Sequence, residues 1–138
     1  MRNIEKVPFT QELKTNINKE FTRYAIAEKG FDGVAEEPIA FVAKENNIVM
    51  GICVVQLFWG NLHVKNLLVY EEYRRAGVGR ELIAHALEFG KKQGCKFAYV
   101  ETMSFQAPEF YQKLGFRVEL KRDDYAGNSS FYYLRKDL

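Results

Sequence analysis

The segment "YRRAGVGREL" (Tyr73–Leu82) decides how this chain is read. It sets Arg74, Arg75, Gly77, Gly79 and Arg80 between an apolar run, "LHVKNLLVY" (Leu62–Tyr70), and a stripe of Val78, Leu82, Ile83, Ala86, Leu87 and Phe89 at helical spacing. A helix start leaves backbone N–H groups without intrahelical acceptors and carries the positive end of the helix dipole. Glycines at a tight strand-to-helix turn let an anion approach those groups closely. The arginines add positive charge. The implied ligand carries phosphate, most naturally a pyrophosphate, at the C-terminal end of a strand. The segment is not a Walker A loop, because no Lys-Ser/Thr follows the second glycine. Nor is it G-x-G-x-x-G, because the third glycine position holds Leu82. The plain alternative is a glycine turn with solvated arginines, and the order of the surrounding elements weighs against it.

Upstream, "IAFVAK" (Ile39–Lys44) and "IVMGICVVQLF" (Ile48–Phe58) read as strands joined by a hairpin at Glu45, Asn46 and Asn47. "WGN" (Trp59–Asn61) turns the chain into the third run, so an antiparallel meander precedes the segment. Before the meander, Leu13, Ile17, Phe21 and Tyr24 predict a helix, with Thr10 as N-cap and Gly30 as stop. Asn3–Val7 is a candidate short first strand. Downstream, Gly94 ends the helix that starts near Gly77, and "KFAYVETM" (Lys96–Met103) reads as a strand. Strand, helix and strand have the length of one βαβ unit, so the two strands should lie parallel. Pro108 opens a short helix, "PEFYQKLG", ended by Gly115, and two antiparallel strands around "AGN" close the chain.

Bulk properties bound the function. The 138 residues fit one domain, residues 1–138, and 47% hydrophobic with 28% charged residues is a globular composition. A net charge of +2 argues against nucleic-acid coating. Cys53 and Cys95 lie in apolar segments outside any ligand spacing, so two free buried thiols in a reducing compartment are expected. His63 and His85 have no metal-ligand pattern around them; structural or solvent-facing roles and no metal are expected. "MRNIEKVPFT" has no long apolar core, and no window approaches a membrane span. The expected location is cytoplasmic, with no membrane partner.

Arg74-x-x-Gly77-x-Gly79 resembles the Q/R-x-x-G-x-G/A acyl-CoA-binding motif of the GNAT N-acetyltransferases. "APEFYQKLGF" (Ala107–Phe116) is similar to that family's late motif, a helix whose tyrosine, here Tyr111, stands four residues before a Gly-Phe pair, Gly115-Phe116. The element order matches as well, strongly from about Ile39 to Leu138 and less so over the N-terminal helix. The resemblance implies an α/β (α+β) fold: a mixed, mostly antiparallel central sheet with a parallel βαβ crossover and flanking helices. It implies acetyl-CoA as co-substrate. The backbone of Leu67, Leu68 and Val69 would pair with the pantetheine arm, beside a bulge that splays the parallel strands. Amides from Arg75 through Ala76, Gly77, Val78 and Gly79 to Arg80 would hold the pyrophosphate, next to Arg74. Tyr111 would be general acid to the leaving thiolate, and an N–H near Leu68 or Val69 would face the oxyanion. The family's asparagine seven residues before the tyrosine is Ser104 here, so Ser104 and Gln106 both stand as polar cofactor contacts.

The attacking amine must be neutral, which needs a base or a desolvating pocket. Glu101, near the end of its strand, is the candidate, directly or through water; its alternative is a solvated carboxylate or an arginine's partner. Glu71 and Glu72 read as solvated, as do Asp123 and Asp124 at the last hairpin's tip. Tyr111 alone would read as core with Phe110 and Leu114; the motif favours catalysis. Trp59, Tyr125, Tyr132 and Tyr133 could wall an acceptor site or a dimer contact. The leading reading is acetyl transfer to a primary amine of a small molecule by direct attack in a ternary complex. The alternatives are a protein lysine or N-terminal acetyltransferase, a non-catalytic acyl-CoA-binding domain, and a nucleotide-binding domain. A homodimer stays open.

Overall fold

In the computed structural model, residues 1–33 and 36–138 are described. They fall into two compact units, one within Met1–Val34 and the other within Ala35–Leu138. The first holds helix α1 (Gln11–Lys29). Thr10 caps it, its hydroxyl accepting from the Leu13 N–H at 3.3 Å, and Gly30 ends it in the left-handed region at φ 79°. The strand expected at Asn3–Val7 does not form. Ile4 and Val7 are three apart, so a strand would send them to opposite faces.

The second unit contains β1 (Ile39–Glu45), β2 (Ile48–Phe58), β3 (Asn61–Val69), α2 (Val78–Lys92), β4 (Phe97–Met103), α3 (Pro108–Lys113), β5 (Arg117–Tyr125) and β6 (Ser129–Asp137). A 3₁₀ turn at Glu71–Tyr73 follows β3. The strands form one six-stranded sheet in the order β1-β2-β3-β4-β6-β5. Asn46 and Asn47 both have positive φ, 52° and 65°, as a tight two-residue hairpin requires. The β3–β4 pair is parallel and all others are antiparallel, as the βαβ reading demands. Asp123 and Asp124, expected at a hairpin tip, lie within β5, where Asp123 accepts from the Ser130 hydroxyl at 2.6 Å.

Alternation along the strands puts one set of side chains under α2. Val78, Leu82, Ile83 and Ala86 pack with Cys53, Val55, Leu62, Val64, Ala98, Val100 and Leu134 in one buried cluster. Gly51 belongs to this layer for a steric reason: a Cβ there would lie 2.9 Å from the Leu68 carbonyl oxygen and 3.1 Å from both Leu82 and Val78. The obstructing oxygen is backbone and cannot rotate away. Gly51→Ala is expected to cost about 1–3 kcal/mol, measured as a lower urea midpoint at unchanged slope.

Two irregularities shape β3. Its register with β2 slips by one residue, because Val54 faces Asn66 while Val55 faces Val64, so Lys65 is an extra residue. Leu62 and Val64 point under α2 before the bulge, and Leu67 and Val69 contact the same core after it. Pairing with β4 covers only Leu62–Ala98, His63–Tyr99 and Val64–Val100. From Lys65 onward the two parallel strands part, and this parting positions the site.

Candidate active site

The parted segment of β3 has one edge with peptide groups to offer. The Tyr70 N–H bonds to the Met50 oxygen at 3.1 Å, so that side of the peptide faces β2. A trans peptide turns its carbonyl the opposite way, so the Val69 oxygen faces β4. There it accepts from Arg74 Nε at 3.0 Å. Strand alternation gives Leu67 the same orientation as Val69, whereas the peptide groups of Leu68 face β2. Arg74 is thereby tied to the strand end through one of its nitrogens.

Past Arg74, the chain turns sharply into α2. Arg75 has φ 67°, unusual for a residue with a side chain, and Gly77, the N-cap of α2, has φ 83°. Among the described residues, no backbone amide from Arg75 to Arg80 has a main-chain acceptor. The Gly77 carbonyl accepts from Glu81, which fixes the first helical turn. These unbound N–H groups, at the positive end of the helix dipole and flanked by Arg75 and Arg80, fit a diphosphate. Gly79 is confined on its other side, where a Cβ would lie 3.2 Å from the Phe110 ring.

α3 brings Tyr111 to the core face of the sheet. Its ring meets Phe110 edge-on at 5.1 Å and Phe116 at 5.5 Å, and the residue is only 5% exposed. Burial pushes the phenol up to about 12, with the nearby Cys53 adding to the effect, so the hydroxyl stays protonated at neutral pH. Every buried side-chain oxygen among the described residues has a partner, yet Tyr111 Oη makes no hydrogen bond. That oxygen therefore keeps contact with solvent-reachable space. Cys53 is fully buried and its thiol is pushed to about 11 by burial, which makes it a poor nucleophile.

The turn from β4 into α3 is pinned by side chains. Gln106 Oε1 accepts from the Met103 N–H at 2.9 Å, and the Thr102 hydroxyl oxygen accepts from the Ala107 N–H at 3.4 Å. Ser104 joins β4 to β6 instead: its N–H donates to the Ser130 oxygen at 2.7 Å and its Oγ accepts from the Ser130 N–H at 2.9 Å.

Glu101 is the first β4 residue past the last parallel pair, on the sheet face opposite α2. Its partner is not an arginine. His63 Nε2 lies 3.1 Å from Glu101 Oε1, an ion-pair contact within hydrogen-bonding reach. The imidazole lies flat on Tyr99, with centroids 4.5 Å apart and planes 7° from parallel, and Tyr99 stacks on Tyr133 at 5.5 Å. Burial lowers the His63 pKa, against an opposing pull from the Glu101 charge. Burial also holds the Tyr99 phenol at about 12. Sequence reasoning assigned His63 a structural or solvent-facing role. Its face was readable from alternation with Leu62 and Val64, but the register across β3 and β4, with α2 between them in the chain, was not. Tyr132 points into the core and Tyr133 away from it, so the two do not share a wall.

A cavity of about 420 Å³ lies between β1 and α2, lined by Phe41, Met50, Glu81, Leu82 and His85 among others and bordered by Ala76 and Val78 of the glycine turn. It contains none of the parted strands' residues and none of α3. Among the described residues there is no group of three or more metal-ligating side chains, and no helix is long and apolar enough to cross a membrane.

Comparison with known proteins identifies the family. The model of the acetyltransferase (GNAT) family matches residues 1–116. The chain is 36% identical over 99 residues to blasticidin-S acetyltransferase of Streptomyces morookaense, covering 71% of this chain and 73% of that one. An acetyltransferase crystal structure from Bacillus cereus superposes with a TM-score of 0.86 at 26% identity, over 99% of this chain and 98% of the other. A Bacillus anthracis acetyltransferase solved with acetyl coenzyme A shares the fold, with a TM-score of 0.68 at 24% identity over 73% of this chain and 63% of that one. With the family model covering most of its length, the chain belongs to the GNAT family and is an acetyl-CoA-dependent N-acetyltransferase.

Proposed function

We propose that this enzyme acetylates a primary amine of a small molecule by direct attack within a ternary complex, acting as one domain over residues 1–138. The observation that carries the reading is the parting of β3 and β4 after Val64 and Val100, with the phosphate-binding turn on one side and Glu101 on the opposite face. The diphosphate would rest on the amides from Arg75 through Ala76, Gly77, Val78 and Gly79 to Arg80. The pantetheine arm would run along Leu67, Leu68 and Val69, pairing with the peptide groups of Leu67 and Val69 that face β4. The Val69 N–H is then the oxyanion donor. Ser104 already bonds Ser130, so Gln106 is the better polar contact to the cofactor, through its amide nitrogen.

The chemistry follows from these positions. The ammonium of the acceptor gives its proton to Glu101, and the freed lone pair attacks the thioester carbonyl. The C–N bond forms and the C–S bond breaks. Tyr111 Oη gives its proton to the departing thiolate. The second nitrogen proton is released to solvent as the tetrahedral intermediate collapses to the amide, Tyr111 is reprotonated from solvent, and Glu101 returns its proton to solvent. The high, protonated thiol of Cys53 supports direct attack over an acyl-enzyme. Similarity to an enzyme named for blasticidin-S supports a small acceptor over a protein. Free Cys53 and Cys95 suit a cytoplasmic compartment.

The test is a screen of amines with acetyl-CoA, following thiol release. Blasticidin S, polyamines, amino sugars and peptides with free N-termini cover the classes. Turnover of a small amine is expected; turnover of peptides alone would overturn the small-molecule reading. With the best acceptor, Glu101→Gln should lower kcat about tenfold near pH 7. The deficit should shrink as pH rises, because the acceptor then loses its proton without help.

A further inference from the structure

We propose that His63 is the positioning residue of the base: its Nε2–H holds Glu101 in the orientation from which the second carboxylate oxygen meets the acceptor amine. The inference rests on Glu101 acting as base. Three observations carry it. The Nε2–Oε1 distance is 3.1 Å, an ion-pair contact within hydrogen-bonding reach of a carboxylate that is itself 44% exposed. An exposed glutamate has freely rotating torsions, and one charge-assisted bond removes much of that freedom. The donor is itself packed: the imidazole lies flat on Tyr99, which stacks on Tyr133, so the ladder spans β3, β4 and β6. Finally, His63 and Glu101 bracket the last parallel pair, Val64–Val100, so the bond closes the end of the parting. Fixing a reacting group in this way supplies rate without changing its chemistry.

The groups facing the imidazole define its pH response. Glu101 and the Tyr99 phenol face it from β4, and the Tyr133 phenol lies beyond Tyr99 on β6. Lys65 acts on it from β3, and Gln56, which accepts from Lys65 Nζ at 3.1 Å, is its register partner on β2. Burial keeps the imidazole neutral at pH 7, so it donates through Nε2 without charge. Below its lowered pKa it becomes a cation paired to Glu101. The carboxylate is then a weaker base, and the rate should fall.

The experiment is a double-mutant cycle on the full chain, with benzylamine as acceptor and thiol release as readout. His63→Phe keeps the stack on Tyr99 and loses the donor; His63→Gln keeps an N–H donor. The expected result is a kcat about tenfold lower for His63→Phe, an unchanged KM for acetyl-CoA, and recovery to within about threefold for His63→Gln. His63→Phe should add nothing on a Glu101→Gln background. The low-pH limb set by the imidazole should vanish in both His63 variants. Full activity of His63→Phe, or an equal loss in both backgrounds, would overturn the positioning role while leaving Glu101 as base. A wild-type rate for Glu101→Gln would overturn the base assignment and His63's role with it. Nitrogen NMR of the imidazole reports the bond without any acceptor: the neutral Nε2–H tautomer is expected, and the Nδ1–H tautomer would overturn the proposal.

Discussion

Tyr111→Phe is expected to lower kcat by about 10² to 10³ while leaving the affinity for acetyl-CoA unchanged. The substitution removes one oxygen. The ring that fills the core between Phe110 and Phe116 stays, so the thermal midpoint should hardly move. Only the proton is lost, and the departing thiolate must leave unprotonated or take a proton from water. The phenol suits the role because burial holds it near 12, so it is protonated at every pH at which the amine can react. The wild-type profile should therefore show no loss of activity from Tyr111 ionisation until strongly alkaline pH. Stopped-flow thiol detection under single-turnover conditions separates this chemical step from product release. An unchanged single-turnover rate would remove Tyr111 from the reaction.

Gly79→Asp is expected to weaken acetyl-CoA binding by about a hundredfold or more, because two effects act together. A carboxylate would place negative charge in the first turn of α2, at an otherwise positive helix start that is to receive phosphate. Its Cβ would also press on Phe110 at 3.2 Å, so a small loss of stability accompanies the loss of affinity. Gly79→Ala separates these causes, because it keeps the Cβ and lacks the charge. Calorimetric titration should rank wild type above Gly79→Ala above Gly79→Asp, and the gap between the variants should narrow in high salt.

The fold was legible where local chemistry dominates. Thr10 and Gly30 bracket α1 as the capping rules require, Asn46-Asn47 turns the first hairpin, and the stripe from Val78 to Phe89 gives α2. "RRAGVG" announced its free amides because glycines and a helix start are sequence-local facts. The bulge left a trace too: Lys65-Asn66, two polar residues side by side, breaks the alternation begun by Leu62, His63 and Val64. The insertion of β6 between β4 and β5 left none, since strand order depends on non-local pairing. The same limit hid the His63–Glu101 bond, which joins residues on opposite sides of a helical crossover. It also hid the restraint on Arg74, whose guanidinium is drawn to Val69.

A crystal structure with acetyl-CoA bound tests the central claim most directly. The account predicts the diphosphate within hydrogen-bonding distance of the amides between Arg75 and Arg80, the pantetheine arm along the β4-facing edge of Leu67 and Val69, and the sulfur beside Tyr111 Oη. A diphosphate held by Phe41, Lys44 and His85 in the cavity between β1 and α2, out of reach of the amides between Arg75 and Arg80 and with the parted strands empty, would contradict it.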